Sequence, residues 1–202
     1  MRDKPDSERG ERIAMLILTS IFILSAIALL SALWMLVPAF FGPPSVPTRM
    51  NRIRKALALA NLQPGETLYD LGAGDGRVLL IAAGEFNANA VGVEIGPTQC
   101  MLIYLRALAS GLDKKIRVRW GNYFTADIKE ADVAFVYATS KETGRLAAHL
   151  QNQMKPGSRL ISISADFPEW EPSAVDELDL IFLYVMPPVQ GSLMTYLAKK
   201  AD

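Results

Sequence analysis

The chain has 202 residues, enough for one ordinary domain and a short appendage. It carries 21 basic and 21 acidic residues, so its composition provides no general attraction to nucleic acid. A single cysteine excludes an internal disulfide, and a single histidine, His149, excludes a metal site built on several histidines. We therefore expect one globular core, with no metal and no nucleic-acid partner.

The first 41 residues divide into a charged tail and a long apolar run. Residues 1–12 are rich in charge and lack apolar periodicity, which predicts a disordered tail. Residues 13–41 contain no charged side chain, and about 20 apolar residues are enough to cross a bilayer as a helix. This run exceeds the roughly 7–15 apolar residues of a cleaved signal peptide. Trp34, Phe40 and Phe41 near its end are typical of a membrane interface. We predict a retained transmembrane helix.

The apolar run is followed by a stiff linker and then by the globular domain. Residues 42–49 include Pro43, Pro44 and Pro47, which cannot continue a helix, so we predict a linker there and a domain over residues 50–202. Four basic residues precede the run and four follow it, so charge bias does not orient the span.

Strand-like and helix-like segments alternate through most of the domain. The pattern predicts helices over residues 50–62, 76–85, 96–110 and 141–153, and strands over residues 67–71, 90–94, 116–120, 131–137 and 159–164. Such alternation with short loops implies a parallel sheet with helices on both faces. Two further apolar runs, residues 178–186 and 193–197, lie too close together for a crossover helix. We predict an α/β fold with a doubly wound, mostly parallel seven-stranded sheet that ends in an antiparallel hairpin.

Three glycines at alternate positions follow the first predicted strand. Gly72, Gly74 and Gly76 would let backbone N–H groups approach a ligand closely at the start of the next helix. Asp70 lies two residues before the first of them, and Glu94 ends the second strand, where a carboxylate can accept both hydroxyls of a ribose. A dehydrogenase would share these features, but this chain leaves no room for its substrate domain. The pattern indicates a nucleotide-type ligand.

The motif Asp-Leu-Gly-Ala-Gly-Asp-Gly at residues 70–76, together with Glu94, Gly121-Asn122 and the terminal hairpin, resembles the class I S-adenosylmethionine-dependent methyltransferases. The resemblance covers residues 47–202. More narrowly, the Val-Pro-Thr entry at residues 46–48 and the run Pro-Gly-Ser-Arg-Leu-Ile-Ser at residues 156–162 resemble a small group of membrane-anchored protein-lysine methyltransferases. Mitochondrial members of that group modify the adenine nucleotide translocator and the c-type subunit of ATP synthase.

The resemblance implies a cofactor, S-adenosyl-L-methionine, and a site for it. The methionine part would lie beside Asp70 and the glycines, the ribose on Glu94, and the adenine among the residues that follow the second and third strands. The implied cofactor residues are Asp70, Gly72, Gly74, Gly76, Glu94, Ile95, Asn122 and Tyr123. For Asp70 and Glu94, a turn-bonding acid and a solvated strand-end acid are the alternative interpretations.

The sequence determines the acceptor-side residues less well than the cofactor residues. The loop after the fourth strand reads Tyr-Ala-Thr-Ser at residues 137–140, not the Asn-Pro-Pro-Tyr of amide and nucleic-acid base methyltransferases. Tyr137, Asp166 and Trp170 are candidates for the acceptor side, although each residue type serves packing or turns equally well. We expect a membrane-associated acceptor, with a protein lysine favoured over a lipid or a quinone-like molecule.

The cytosolic origin of the cofactor predicts a single-pass protein of the bacterial inner membrane with its catalytic domain in the cytoplasm. A non-enzymatic scaffold that keeps the methyltransferase fold is the alternative function.

Overall fold

A computed structural model of the chain describes residues 4–35 and 48–201. The chain forms two compact units, Met1–Pro44 and Ser45–Asp202, which are described separately. In the first unit, helix α1 spans Lys4–Met35. Its segment Gly10–Leu33 has a mean hydropathy of 2.7 and none of it is buried, so its length and composition fit a membrane span.

The helical start at Lys4 corrects the predicted tail, because residues 4–12 are helical. Phe40, Phe41 and most of the predicted linker lie outside the described residues. The limits of the span and of the linker therefore stay predictions.

The second unit is a three-layer α/β domain. Its helices are α2 (Met50–Leu59), α3 (Arg77–Glu85), α4 (Pro97–Ala109), α5 (Ser140–Gln153) and α6 (Leu193–Ala201). Its strands are β1 (Thr67–Leu71), β2 (Asn89–Glu94), β3 (Ile116–Trp120), β4 (Val133–Tyr137), β5 (Arg159–Ile163), β6 (Trp170–Glu171), β7 (Ala174–Asp176), β8 (Ile181–Val185) and β9 (Val189–Gln190). Strands β6 and β9 form a separate small antiparallel pair.

The main sheet has seven strands in the order β3-β2-β1-β4-β5-β8-β7, with the first five parallel. Strand β8 runs antiparallel to both of its neighbours. This confirms the predicted fold class. The carboxyl ends of β1, β2 and β4 lie at one edge of the sheet, near the reversal of strand order, which is where ligands bind in such folds.

The partner of β8 differs from the prediction. The hairpin joins β8 to β7, whereas residues 193–197 belong to helix α6. A run of five mostly apolar residues suits a strand or a helix equally, and here the hydroxyl oxygen of Ser192 accepts the backbone N–H of Thr195 at 3.3 Å, as a helix N-cap does. The three-residue β7 carries no apolar run that would have indicated it.

Alternating residues of the strands face two hydrophobic clusters on opposite sides of the sheet. Helices α2, α3 and α4 pack on one side, with Ile53, Leu79 and Ile103 fully or almost fully buried. Helix α5 packs on the other side through Leu146 and Leu150. The alternation follows from the period of two along a strand.

Gly92, in the middle of β2, packs closely against Leu79 of α3 and against Ala73. A Cβ on Gly92 would lie 2.6 Å from Leu79 Cδ1 and 2.8 Å from Ala73 Cβ. We expect Gly92→Ala to lower the free energy of unfolding by about 1–3 kcal/mol through overpacking. The control Gly144→Ala, in α5 with open space around it, should raise it by about 0.5–1 kcal/mol. Urea unfolding of the full chain in detergent measures both, and equal effects would contradict the close approach.

Candidate active site

A glycine loop, residues 72–76, connects β1 to α3 across the carboxyl edge of the sheet. The backbone N–H groups of Gly72 and Ala73 donate to Val93 O at 2.9 and 3.1 Å, which fixes the loop over the end of β2. Gly76 has φ +78°, and a Cβ there would lie 2.8 Å from Ile103 Cγ1. Only glycine fits this position without strain, so the loop brings its backbone close to α4 before α3 begins at Arg77.

Asp70 lies in β1 directly before the glycine loop, and only 3% of it is exposed. Burial, reinforced by the nearby charges of Glu94 and Asp75, raises the pKa of Asp70 to about 8. None of the described residues donates a hydrogen bond to its carboxyl group. A buried carboxyl group without a donor in the protein suits a ligand that brings a cationic donor of its own.

Glu94 ends β2 and ties two loops together. Its Oε2 accepts the N–H of Gly74 at 2.8 Å and its Oε1 accepts the N–H of Gly96 at 2.7 Å. Only 8% of the residue is exposed, so the interpretation as a solvated acid is wrong. A carboxylate has about four acceptor positions, so two remain for ligand hydroxyls.

The other three predicted cofactor residues surround the same edge. Tyr123 lies with its ring 3.9 Å from the position of a Cβ on Gly72, and its hydroxyl donates to Glu142 Oε1 at 2.7 Å. Burial raises the pKa of the Tyr123 hydroxyl, so it stays a donor. Ile95 O accepts the indole N–H of Trp120 at 2.9 Å, and Asn122 Oδ1 accepts the N–H of Phe124 at 2.9 Å.

A charged network surrounds Asp75, and no sequence pattern indicates it. The Asp75 carboxylate pairs with Arg77 at 2.6 Å and with Arg106 of α4 at 3.1 Å. Hydrogen bonds from Arg77 lower the pKa of Asp75 to about 2. Arg77 also donates to Thr48 O at 2.9 Å, so the network connects the start of the domain, the glycine loop and α4.

Tyr137 lies at the carboxyl end of its strand, and Asp166 comes shortly after the carboxyl end of the neighbouring strand. Tyr137 ends β4 beside Ile163 of β5, is 38% exposed, and Asp166 comes three residues after β5 and is half-buried. Trp170 is 2% exposed and stacks on Phe167 with centroids 4.6 Å apart. Trp170 is therefore a core residue, not an acceptor-side one, because its ring is enclosed by other aromatic rings.

Tyr137 lines a cleft of about 330 Å³ that we call the Tyr137 cleft. Its lining residues are Thr48, Arg49, Arg52, Tyr137, Leu178, Asp179 and Leu180. Arg52 holds one wall by donating to Asp179 O at 2.6 Å and to Ser164 Oγ at 3.1 Å. Ser164 and Leu180 both have positive φ, 75° and 47°, and such strained backbone tends to occur at functional sites. Residues so far apart in sequence carry no local pattern that would have revealed the cleft.

Comparison with known proteins shows which class of protein this fold and glycine loop belong to. The crystal structure of an RNA methyltransferase from Salinibacter ruber, in complex with S-adenosyl-L-homocysteine, superposes with a TM-score of 0.70. It shares 32% sequence identity over 72% of this chain and 97% of that one. Together with the sheet order and the glycine loop, this similarity defines a class I methyltransferase, and it confirms the predicted cofactor, S-adenosylmethionine.

The sequence relatives specify the family. Residues 70–174 match the ANTKMT methyltransferase domain. A protein-lysine N-methyltransferase of Saccharolobus islandicus is 31% identical over 71% of this chain and 93% of its own length. A Caenorhabditis elegans lysine N-methyltransferase for the C-type subunit of ATP synthase is 29% identical over 70% of this chain and 77% of its own length. The chain belongs to the ANTKMT methyltransferase domain family, which confirms the resemblance and the interpretation as an enzyme.

Proposed function

We propose that this chain is a membrane-anchored protein-lysine methyltransferase whose acceptor is a membrane-associated protein. The unpartnered, buried carboxyl group of Asp70 beside the glycine loop carries the proposal, because it matches the cationic amino group of the cofactor. The names of the two relatives support a lysine acceptor, and one of them names a component of ATP synthase. The apolar helix α1 supports the anchor.

Different residues of the site would bind different parts of the cofactor. Asp70 would hold the amino group of the methionine part and Glu94 the ribose hydroxyls, while the glycine loop would border the methionine part. Ile95, Asn122 and Tyr123 would border the adenine. When bound, the cofactor supplies an electrophilic methyl group on its sulfonium.

The acceptor would enter through the Tyr137 cleft. A lysine must reach the site as a neutral amine, and the hydroxyl of Tyr137 can accept a hydrogen bond from that amine and orient it. Asp166, after the adjacent strand, is the second candidate for this role. Orientation in a water-poor site is the main contribution an enzyme makes to such a transfer.

Tyr137→Phe tests the acceptor side. Loss of one orienting hydrogen bond should lower kcat for methyl transfer by about 10- to 100-fold and leave the Kd for S-adenosylmethionine unchanged. Single-turnover transfer and calorimetric titration provide the two readouts. Asp113→Asn, an exposed acid before β3, is the control that should change neither. A Tyr137→Phe enzyme with full kcat would remove Tyr137 from the acceptor side.

The membrane orientation is part of the proposal. Because the cofactor is made in the cytosol, the domain would lie in the cytoplasm, as in a bacterial inner-membrane protein. Protease added to sealed inverted vesicles should digest the domain, while protease added to intact spheroplasts should not. The reverse result would overturn this orientation.

RNA is the competing acceptor, because the Salinibacter ruber structure is described as an RNA methyltransferase. The equal numbers of basic and acidic residues disfavour RNA. Transfer of a radiolabelled methyl group should be followed with the purified full chain and separate membrane, soluble-protein, lipid and RNA fractions. Label in methyllysine of a membrane protein supports the proposal. Label confined to RNA or lipid overturns it, and the heat-denatured chain serves as the inactive control.

A further inference from the structure

The outward side of α4 is almost entirely apolar. Only one of its 13 residues, Arg106, is charged. Ile103 and Ala107 face the core. The exposed side, which we call the α4 face, consists of Met101, Leu102, Tyr104, Leu105 and Leu108, with 39–58% of each residue exposed. A helix on the surface of a soluble domain usually has polar residues there, so an apolar outward face marks an interaction surface.

The α4 face continues onto the edge strand β3. A groove of about 760 Å³ lies between them, lined by Pro97, Met101, Tyr104 and Trp120 among others. Trp120 is 69% exposed although its indole N–H is bonded to Ile95 O. Its polar end is thus satisfied and its ring is open, which is the usual state of tryptophan at a membrane–water boundary.

The start of the domain is linked to α4 through charged side chains. Thr48 is connected through Arg77 and Asp75 to Arg106 of α4, with consecutive contacts of 2.9, 2.6 and 3.1 Å. Between Met35 of α1 and Thr48 lie 12 residues, which can span at most about 45 Å. The segment that would lead to an anchor is therefore joined to α4 by side-chain contacts.

The α4 face carries almost no free charge, because Arg106 pairs with Asp75. The basic residues of β3 do not border it: Arg119 lies over the Tyr69 ring at 5.3 Å on the opposite side of the sheet and donates to Asp127 O. An uncharged apolar surface with an open tryptophan ring suits the interfacial region of a bilayer, and α1 of the same chain is long and apolar enough to span one.

We propose that the α4 face is a second membrane contact, which rests in the headgroup region of the bilayer that holds α1 and keeps the domain against it. This inference depends on the proposed anchor but not on the acceptor. Such a contact would limit the orientations that the domain can take, and it would fix the angle between the carboxyl edge of the sheet and the membrane surface.

The test uses the full chain with Cys100→Ala and one new cysteine that carries an environment-sensitive fluorophore. Leu105→Cys places the probe on the α4 face, and Gln151→Cys places it on exposed α5, across the sheet. Each protein is reconstituted at one copy per nanodisc of anionic lipid, with or without nitroxide-labelled lipid. Binding of S-adenosylmethionine confirms that each labelled protein is folded.

We expect a blue-shifted Leu105 probe that lipid nitroxide quenches at least about twofold more than the Gln151 probe. Unquenched emission at Leu105 from a chain that co-purifies with the disc would overturn the α4 contact and leave the anchor intact. A chain that does not associate with lipid would overturn the anchor and the contact together. A blue shift that appears only with several copies per vesicle and is insensitive to nitroxide would identify a second copy as the occupant and also overturn the proposal.

Discussion

Asp70→Asn is expected to weaken S-adenosylmethionine binding by about 10- to 150-fold, because a charge-assisted hydrogen bond contributes about 1.5–3 kcal/mol. The substitution keeps the size of the side chain and removes the charge that would face the cofactor's amino group. Calorimetric titration of the full chain in detergent measures the change. Asp113→Asn, far from the glycine loop in sequence and exposed, is the matched control and should bind normally.

The raised pKa of Asp70 gives this prediction a second readout. With a pKa of about 8, Asp70 is mostly protonated at pH 7 in the free protein. A cationic ligand favours the ionised form, so binding at pH 7 should release nearly one proton. Titrations in two buffers of different ionisation enthalpy count that proton. Asp70→Asn should release none, and equal proton release by both proteins would show that Asp70 does not face the cofactor.

Asp70 also makes stability depend on pH. Between its ordinary pKa of 3.8 and the folded value of about 8, the folded state holds a proton that the unfolded state has lost. The stability of the free protein therefore falls as pH rises through this window, by up to about 1.4 kcal/mol per pH unit, and levels off above it. Thermal unfolding should show a flatter pH profile for Asp70→Asn, with the variant more stable at pH 8. Parallel profiles would contradict the buried, unpartnered state.

The features that the sequence predicted correctly are encoded by residues close together in the chain. The run from β1 through Gly72, Gly74 and Gly76 into α3 is a strand, a turn and a helix start encoded by adjacent residues, and Glu94 follows by the spacing of one strand–helix–strand unit. The alternation of elements then determined the parallel part of the sheet. These features depend on short-range patterns, and the structure has them at the predicted positions.

Long-range features lacked such signals. The short β7 has no hydrophobic pattern, so the predicted hairpin pairs β8 with residues that form α6. The sequence leaves Trp170 as either an acceptor-side or a packing residue, and only its stacking on Phe167 shows that it is core. The Tyr137 cleft needs Arg52 and Leu180, which are distant in sequence. The apolar side of α4 was in the sequence, but periodicity alone does not tell which side of a helix faces solvent.

Glu94→Ala is expected to lower both the stability of the fold and the affinity for the cofactor. It leaves the N–H groups of Gly74 and Gly96 without their acceptor, which should lower the free energy of unfolding by about 2–5 kcal/mol. It also removes the predicted ribose contact, so binding should fall below detection. Glu94→Gln keeps one oxygen acceptor and should recover part of the stability. Chemical denaturation of the full chain in detergent measures the stability of both variants. A fully stable Glu94→Ala protein would contradict the loop contacts.

A cofactor analogue separates the two roles of Glu94. If the carboxylate accepts the ribose hydroxyls, the unmodified enzyme should bind S-adenosylmethionine at least about tenfold more tightly than an analogue that lacks both hydroxyls. Glu94→Gln should discriminate less, because its amide has one acceptor oxygen in place of two. If Glu94 only ties the loops together, both proteins should lose the same factor with the analogue. The difference between the two ratios therefore measures the ribose contact independently of any loosening of the glycine loop.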